Sequence, residues 1–171
     1  MTSIVVSSGV TSVGINLGAG DFMNVAGLAV DTTAAGGSIE IASSGTVSRT
    51  ALEDGAVMVI SSGGLAVSGT ADLTSEIEVL SGASVSNFTV SGLLKLDRGG
   101  FADQILVGQG GTELINTVAV SGQVAAGGLQ EIFFGGLDEF GSVAGVQRIF
   151  EGEASQEIGR ASCRERVLVA V

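Results

Sequence analysis

Glycine recurs along this chain with a fixed rhythm, and the rhythm rules out most architectures. Gly9, Gly27, Gly45 and Gly63 stand 18 residues apart, and Gly82, Gly100, Gly135 and Gly152 continue close to that spacing. The 35-residue gap between Gly100 and Gly135 spans two periods, with a glycine lost near Thr117. A second series runs half a period out of step through Gly18, Gly36, Gly55, Gly92, Gly110, Gly127 and Gly145. Its slot near Asp72 to Ser75 is filled by other residues. Self-similarity of this kind marks a repeat protein built from one small supersecondary unit.

The unit is audible in Ile39-Glu40-Ile41-Ala42-Ser43-Ser44-Gly45, then in Val57-Met58-Val59-Ile60-Ser61-Ser62-Gly63, then in Ile77-Glu78-Val79-Leu80-Ser81-Gly82. Later copies, Leu94-Lys95-Leu96 before Gly100 and Gln130-Glu131-Ile132 before Gly136, keep the shape with less fidelity. Short apolar–polar alternation is the period of a strand with one face inward. It stops at Ser-Ser-Gly or Gly-Gly, where a left-handed backbone turns the chain. Helical spacing is absent, and each interior glycine would cost a helix about 1 kcal/mol. Each unit therefore reads as strand, turn, strand, turn, and it is too small to bury its own apolar face. Stacking buries it. The fold expected is all-β, a single-stranded β-solenoid with coils of about 18 residues, about eight of them over residues 1–156, forming a rod of about 40 Å. In that stack Ile39 and Ile41 should lie under Val57 and Val59, and these under Ile77 and Val79. Ser, Thr, Glu and Asp should form the solvated face.

Composition agrees with a slender core. The chain has no Pro, His, Trp or Tyr, and aromatics make up 4%, too few rings for the thick core of a sandwich or an α/β enzyme. A hydrophobic content of 45% is too high for disorder. The net charge of −11 argues against nucleic acid, whose phosphates call for Lys and Arg, and against an anionic membrane surface. The longest purely apolar runs are five residues, as in Ala56 to Ile60, so no membrane insertion by a helix is expected. Met1 leads directly into Thr2-Ser3-Ile4-Val5-Val6 without a secretory pattern.

From Glu157 the texture changes. The stretch EIGRASCRERV to Val167 holds three of the seven basic residues and the only cysteine, Cys163. It resembles the translation of a common sequencing adapter, so residues 157–171 are read as a non-native tail. Cys163 is accordingly not read as a nucleophile, ligand or disulfide partner. Without the tail the chain is cysteine-free, in keeping with an exported protein.

The calcium-binding β-roll needs G-G-x-G-x-D, and Gly135-Gly136-Leu137-Asp138 fails it at the third glycine. Leucine-rich repeats need a Leu ladder with Asn, which is missing. The units G-G-x-A-x-x-x-T, preceded by apolar-x-apolar-x-S-S-G, instead resemble the strand-loop-strand repeats of autotransporter passenger domains of the AIDA adhesin type. The best matches are Gly63-Gly64-Leu65-Ala66 with Thr70, Gly27 to Thr33, and the opening Ile4 to Ser12. The resemblance covers about residues 2–153, and the copies after Gly100 depart from the pattern. It implies an extended extracellular or cell-surface passenger engaged in adhesion to a host or neighbouring cell surface, or in self-association. It also implies occasional O-heptosylation of Ser or Thr. The membrane barrel of such a protein would lie outside this sequence.

No catalytic, cofactor-binding or metal-ligating residue is assigned, and neither an enzyme activity nor a cofactor is expected. Glu53-Asp54 and Asp138-Glu139 are carboxylate pairs, read as solvated turn charges. Lys95-Leu96-Asp97-Arg98 is the only basic cluster before the tail and is read as surface. Asn87-Phe88-Thr89 matches a glycosylation sequon by composition. Phe133-Phe134 should place one ring inward and one outward. Gly18-Ala19-Gly20 lacks the strand–helix setting of a phosphate loop. Ser7-Ser8, Ser43-Ser44 and Ser61-Ser62 should recur at one turn position, as turn formers or as an exposed hydroxyl ladder. Glu40, Glu78 and Glu131 recur after the first apolar residue of their units. This pattern suits either an outward face or, as an alternative, the carboxylates of a polysaccharide-acting β-helix enzyme. A passive stalk carrying another module is the third reading.

Overall fold

The computed structural model describes residues 1–150, 153–155 and 167–168. Residues 157–166 of the adapter-like stretch, with Cys163, lie outside the described residues. Every regular element described is a strand, and neighbouring coils pair in parallel. One ten-stranded sheet forms the first wall, beginning Ser3–Val6, Phe22–Val25, Ser38–Ile41. Its last strand, Val167–Leu168, pairs with Arg148 and Ile149, so part of the stretch set aside as non-native lies on this sheet. A 14-stranded sheet forms the second and third walls. Strands such as Thr46–Glu53, Leu65–Ala71 and Ser84–Val90 run through both walls, whereas Leu28–Val30 and Thr33–Ala35 take one each. The molecule is the β-solenoid expected, with eight steps from Ile4 to Gln147 averaging about 18 residues.

Three corners close a typical coil. The first is a tight turn in which Val10 N–H donates to the Ser7 carbonyl at 3.0 Å, Gly64 to Ser61 at 2.8 Å and Gly136 to Phe133 at 2.7 Å. Its third residue needs a positive φ, supplied by Gly9 (77°), Gly63 (78°) and Gly135 (81°), because a Cβ disfavours that region. A similar turn joins the third wall to the next coil. The remaining corner uses a single left-handed residue, and here glycine is the exception. Gly14 is followed coil after coil by Asp31, Arg49, Ser68, Asn87, Gln104, Ser121 and Phe140, with φ between 54° and 61°.

The interior is made of stacked columns. One runs Val6, Val25, Ile41, Ile60, Val79, Leu96, Ile115, Ile132. A second runs Ile4, Met23, Ile39, Met58, Ile77, Leu94 and then Glu113, Gln130, Gln147. The register corrects the expected one. Ile39 and Ile41 lie against Met58 and Ile60, not Val57 and Val59, which face out. Val57 to Ile60 is apolar at all four positions, so alternation cannot set its phase. The rung below sets it: after a turn closed by Ala56 N–H to the Glu53 carbonyl at 3.1 Å, Met58 and Ile60 pair with the inward Ile39 and Ile41. A one-residue slip exchanges every inward side chain for an outward one.

The expected division into polar outside and apolar inside also needs correction. Leu28, Leu65, Val118 and Leu137 occupy one outward column of the second wall, while Glu113, Gln130, Asp138 and Gln147 are buried.

Candidate functional site

The tight-turn edge carries the clearest candidate. Residues at the second position of that turn are Ser8, Ser43, Ser62 and Ser81, followed by Arg98 and Phe134, all exposed. The paired serines of the sequence are thus not strictly equivalent. Gly45 N–H closes its turn on Ala42, whereas Gly64 closes on Ser61. Ser44 therefore takes the glycine position, at φ 69°, and Ser43 aligns with Ser62. Among the described residues no hydrogen bond engages the hydroxyls of these four serines. Three of them face the glycine one coil on: the Ser43 Oγ lies 3.2 Å from where a Cβ of Gly63 would stand, the Ser62 Oγ 2.6 Å from that of Gly82 and the Ser81 Oγ 2.6 Å from that of Gly99. The ladder is rigidly spaced because consecutive turns are bonded to each other, as in Ser44 N–H to the Gly63 carbonyl at 3.1 Å and Gly63 N–H to Gly82 at 2.8 Å.

The ladder has a gap. In the second coil Ala26 and Gly27 both donate to the Val6 carbonyl, at 2.8 and 2.9 Å, and no tight turn forms. The shortfall opens a notch of about 410 Å³ whose lining includes Ser8, Thr11, Ser44 and Thr46. A comparable shortfall explains the glycine missing near Thr117. That residue is buried, its Oγ1 accepts Gly99 N–H at 3.2 Å and donates to the Gly100 carbonyl at 2.8 Å, and it so ties off the preceding turn.

Glu40, Glu78 and Glu131 do share one outward column, which reads Val5, Asn24, Glu40, Val59, Glu78, Lys95, Leu114, Glu131, Arg148. Each carboxylate has a partner on an adjacent rung. Asn24 donates to Glu40 at 3.4 Å, Lys95 stands 3.3 Å from Glu78 and 3.4 Å from Glu76, and Arg148 stands 3.0 Å from Glu131. The Glu78 partner is the main reason the Lys95 ammonium holds its proton more tightly than usual. Glu40 and Glu78 are two rungs apart, about 10 Å along the axis, with Val59 between them. This is the geometry of a solvated polar ladder, in which Lys95 and Arg148 offset Glu78 and Glu131 while a neutral amide bonds Glu40.

The other candidates are dispersed. Lys95-Leu96-Asp97-Arg98 splits into an outward ion pair, a core leucine and two turn residues. Glu53-Asp54 lies in an exposed turn, as expected. Asp138-Glu139 does not, since Asp138 is an inward strand residue and only 4% exposed. Phe133 points into no core: it is half-buried and stacks on Phe150 with centroids 5.3 Å apart, while Phe134 is exposed. Asn87 is the left-handed corner of its coil, and Phe88 is buried. The Asp21 carboxylate accepts Gly18 N–H at 3.1 Å and Thr2 N–H at 2.5 Å, capping the loop of Gly18 to Gly20 with a charge that would repel phosphate.

The slot without glycine at Asp72 to Ser75 is built on one carboxylate. Asp72 accepts from Ser75 Oγ (2.7 Å), Asp54 N–H (2.9 Å), Thr74 N–H (3.0 Å) and Thr74 Oγ1 (3.0 Å). These donors, Ser75 first, lower its pKa to about 2. Among the described residues no group of three or more Asp, Glu, His or Cys could hold a metal ion.

No protein-family model matches the sequence, and no curated protein is similar to it. The solved structure of a TibC-catalysed hyper-glycosylated fragment of TibA superimposes with a TM-score of 0.85 at 24% identity, over 91% of this chain and 61% of that one. This chain thus spans less than two thirds of that fragment, and the likeness bears out the solenoid fold that its repeats imply.

Proposed function

We propose that this chain is a rod-forming passenger segment of a secreted or surface-exposed bacterial protein of the autotransporter type. Its serine-lined turn edge accepts sugars, and the rod serves adhesion to a host or neighbouring cell surface, or self-association. The observation that carries this reading is the ladder of Ser8, Ser43, Ser62 and Ser81, whose exposed hydroxyls are left free by the backbone and repeat along a rigid edge. The fold shared with a hyper-glycosylated TibA fragment lends it support. Among the described residues such hydroxyls have no base bonded to them to make them nucleophiles; they suit a role as acceptors for another enzyme. The rod is then not itself an enzyme. The solenoid array is taken as residues 1–156 and residues 157–171 as a non-native tail.

Co-expression with TibC followed by intact-mass and peptide mass spectrometry tests the acceptor role. Sugar is expected at the four ladder serines, and replacement of all four by alanine should remove most of the added mass. Sugar confined to other positions, or none, would overturn it. Cells displaying the segment should sediment faster than cells without it, and equal sedimentation would leave the passive-stalk reading standing.

A further inference from the structure

The interior changes character along the rod. The column that begins Ile4, Met23, Ile39, Met58, Ile77, Leu94 becomes polar at Glu113 and stays polar at Gln130 and Gln147. Glu113 is 1% exposed and Gln130 0%. Gln147 Nε2 donates to Gln130 Oε1 at 2.8 Å, and Gln130 Nε2 donates to Glu113 Oε2 at 3.0 Å. The amide chain therefore runs one way and ends on the glutamate. The second Glu113 oxygen, Oε1, has no hydrogen-bond partner among the described residues. Beside Glu113 on its own wall stand Leu94 and Gln130, while Lys95 and Glu131 point outward. The second wall supplies Ala102, Ala119 and Asp138, and the third Val107, Val124 and Val143. Asp138 is thus the titratable group that faces it among the described residues.

A carboxylate with one hydrogen bond in an aliphatic shaft, near a second acid, is costly to keep charged. The neutral acid keeps the Gln130 bond and removes that cost. We propose that Glu113 is a proton-operated latch for the later coils of the rod: protonated, it closes the interior polar stack, and on losing its proton it loosens the coils from Thr112 to Ile149 while the aliphatic coils before it stay shut. Burial first, and then the Asp138 charge, raise its pKa to about 7, against the opposing pull of the Gln130 bond. The sign follows from linkage. The folded group holds its proton more tightly than the unfolded chain, so these coils lose stability as pH climbs from about 4.5 to about 7, and above that the loss is complete. Loosening of one end without the other is open to a solenoid, because each coil touches only its neighbours.

Hydrogen–deuterium exchange on the whole chain at pH 6 and pH 8, corrected for intrinsic rates, reads this directly. Protection of amides in residues 112–149 is expected to fall about tenfold between the two, by the linkage relation for a pKa near 7. Protection in residues 38–79 should hold. Glu113→Gln, which keeps the shape of the neutral acid, should abolish the fall. An equal fall in both regions, no fall, or an undiminished fall in E113Q would overturn the latch. Should E113Q not fold, carbon-13 titration of the wild-type glutamate carboxyls decides. One resonance with a midpoint near 7, lowered in Asp138→Asn, supports the proposal, and all midpoints in the ordinary carboxylate range sink it.

Discussion

Among the described residues Phe88 is the one aromatic ring fully buried, at 1% exposure, and its neighbour one coil back is Gly69. The pairing is a size exchange across rungs. A methyl at Gly69 would stand 2.5 and 2.6 Å from ring carbons Cε1 and Cζ of Phe88, and it would also press on the Thr50 carbonyl. Phe88→Ala removes a ring that hides about 200 Å², about 5 kcal/mol at 25 cal/mol per Å². Relaxation of the cavity brings the expected loss to about 3–5 kcal/mol. Gly69→Ala overpacks the same spot and should cost about 1–3 kcal/mol. In the double variant the ring contact is gone but the Thr50 contact remains. Its cost should therefore fall short of the sum of the two by about 1 kcal/mol, a coupling of the size found between touching residues. Urea unfolding followed by circular dichroism gives all three values, with exchange protection reporting whether the damage is confined to the coils around residues 65–107. Strict additivity, or a loss below about 1 kcal/mol for Phe88→Ala, would refute the claim that the two positions share one interior space.

Three further outcomes follow from the corners. Ser44→Gly replaces a side chain held at φ 69° by the residue that neighbouring turns use there, and should raise stability by about 1 kcal/mol, read as a shift in urea midpoint. Thr117→Val keeps the shape but strands Gly99 N–H and the Gly100 carbonyl, a loss of about 1–3 kcal/mol, visible as faster exchange at Gly99. Asp72→Ala should destabilise at neutral pH by about 1 kcal/mol. Since the folded carboxyl titrates at about 2 against the ordinary 3.8, the wild type keeps this advantage above pH 3.8 and loses it as pH falls through 2. The two unfolding midpoints should converge there, and a gap that persists at pH 2 would contradict the assignment.

Much of the candidate edge could be read in advance because its signal is local. Ser-Ser-Gly and Gly-Gly mark a turn wherever they stand, and their recurrence places the turns on one edge. Alignment within the edge was less legible. Ser43 and Ser44 look equivalent to Ser61 and Ser62, yet the turn closes one residue differently, with Ser44 in the left-handed position. The third corner was invisible for the opposite reason. Asp31, Arg49, Ser68, Asn87, Gln104, Ser121 and Phe140 share a conformation but no chemistry, because the constraint on them is imposed by the coils above and below. Glu113 was likewise hidden. Thr112-Glu113-Leu114-Ile115 is a strand in either phase, and local alternation favours the phase that sends the glutamate outward.

The repeat, the strand period and the glycine turns left stacking as the only way for so small a unit to bury an apolar face, and from that the all-β rod follows without coordinates. Which side chain of each rung turns inward is a different kind of fact. Neighbouring phases differ by a single residue and have nearly the same local energy, so the choice falls to the stacked coils. Contact between rungs put Met58 inside and Val59 out, opened space at Gly69 for Phe88, and enclosed Glu113 with Gln130 and Gln147.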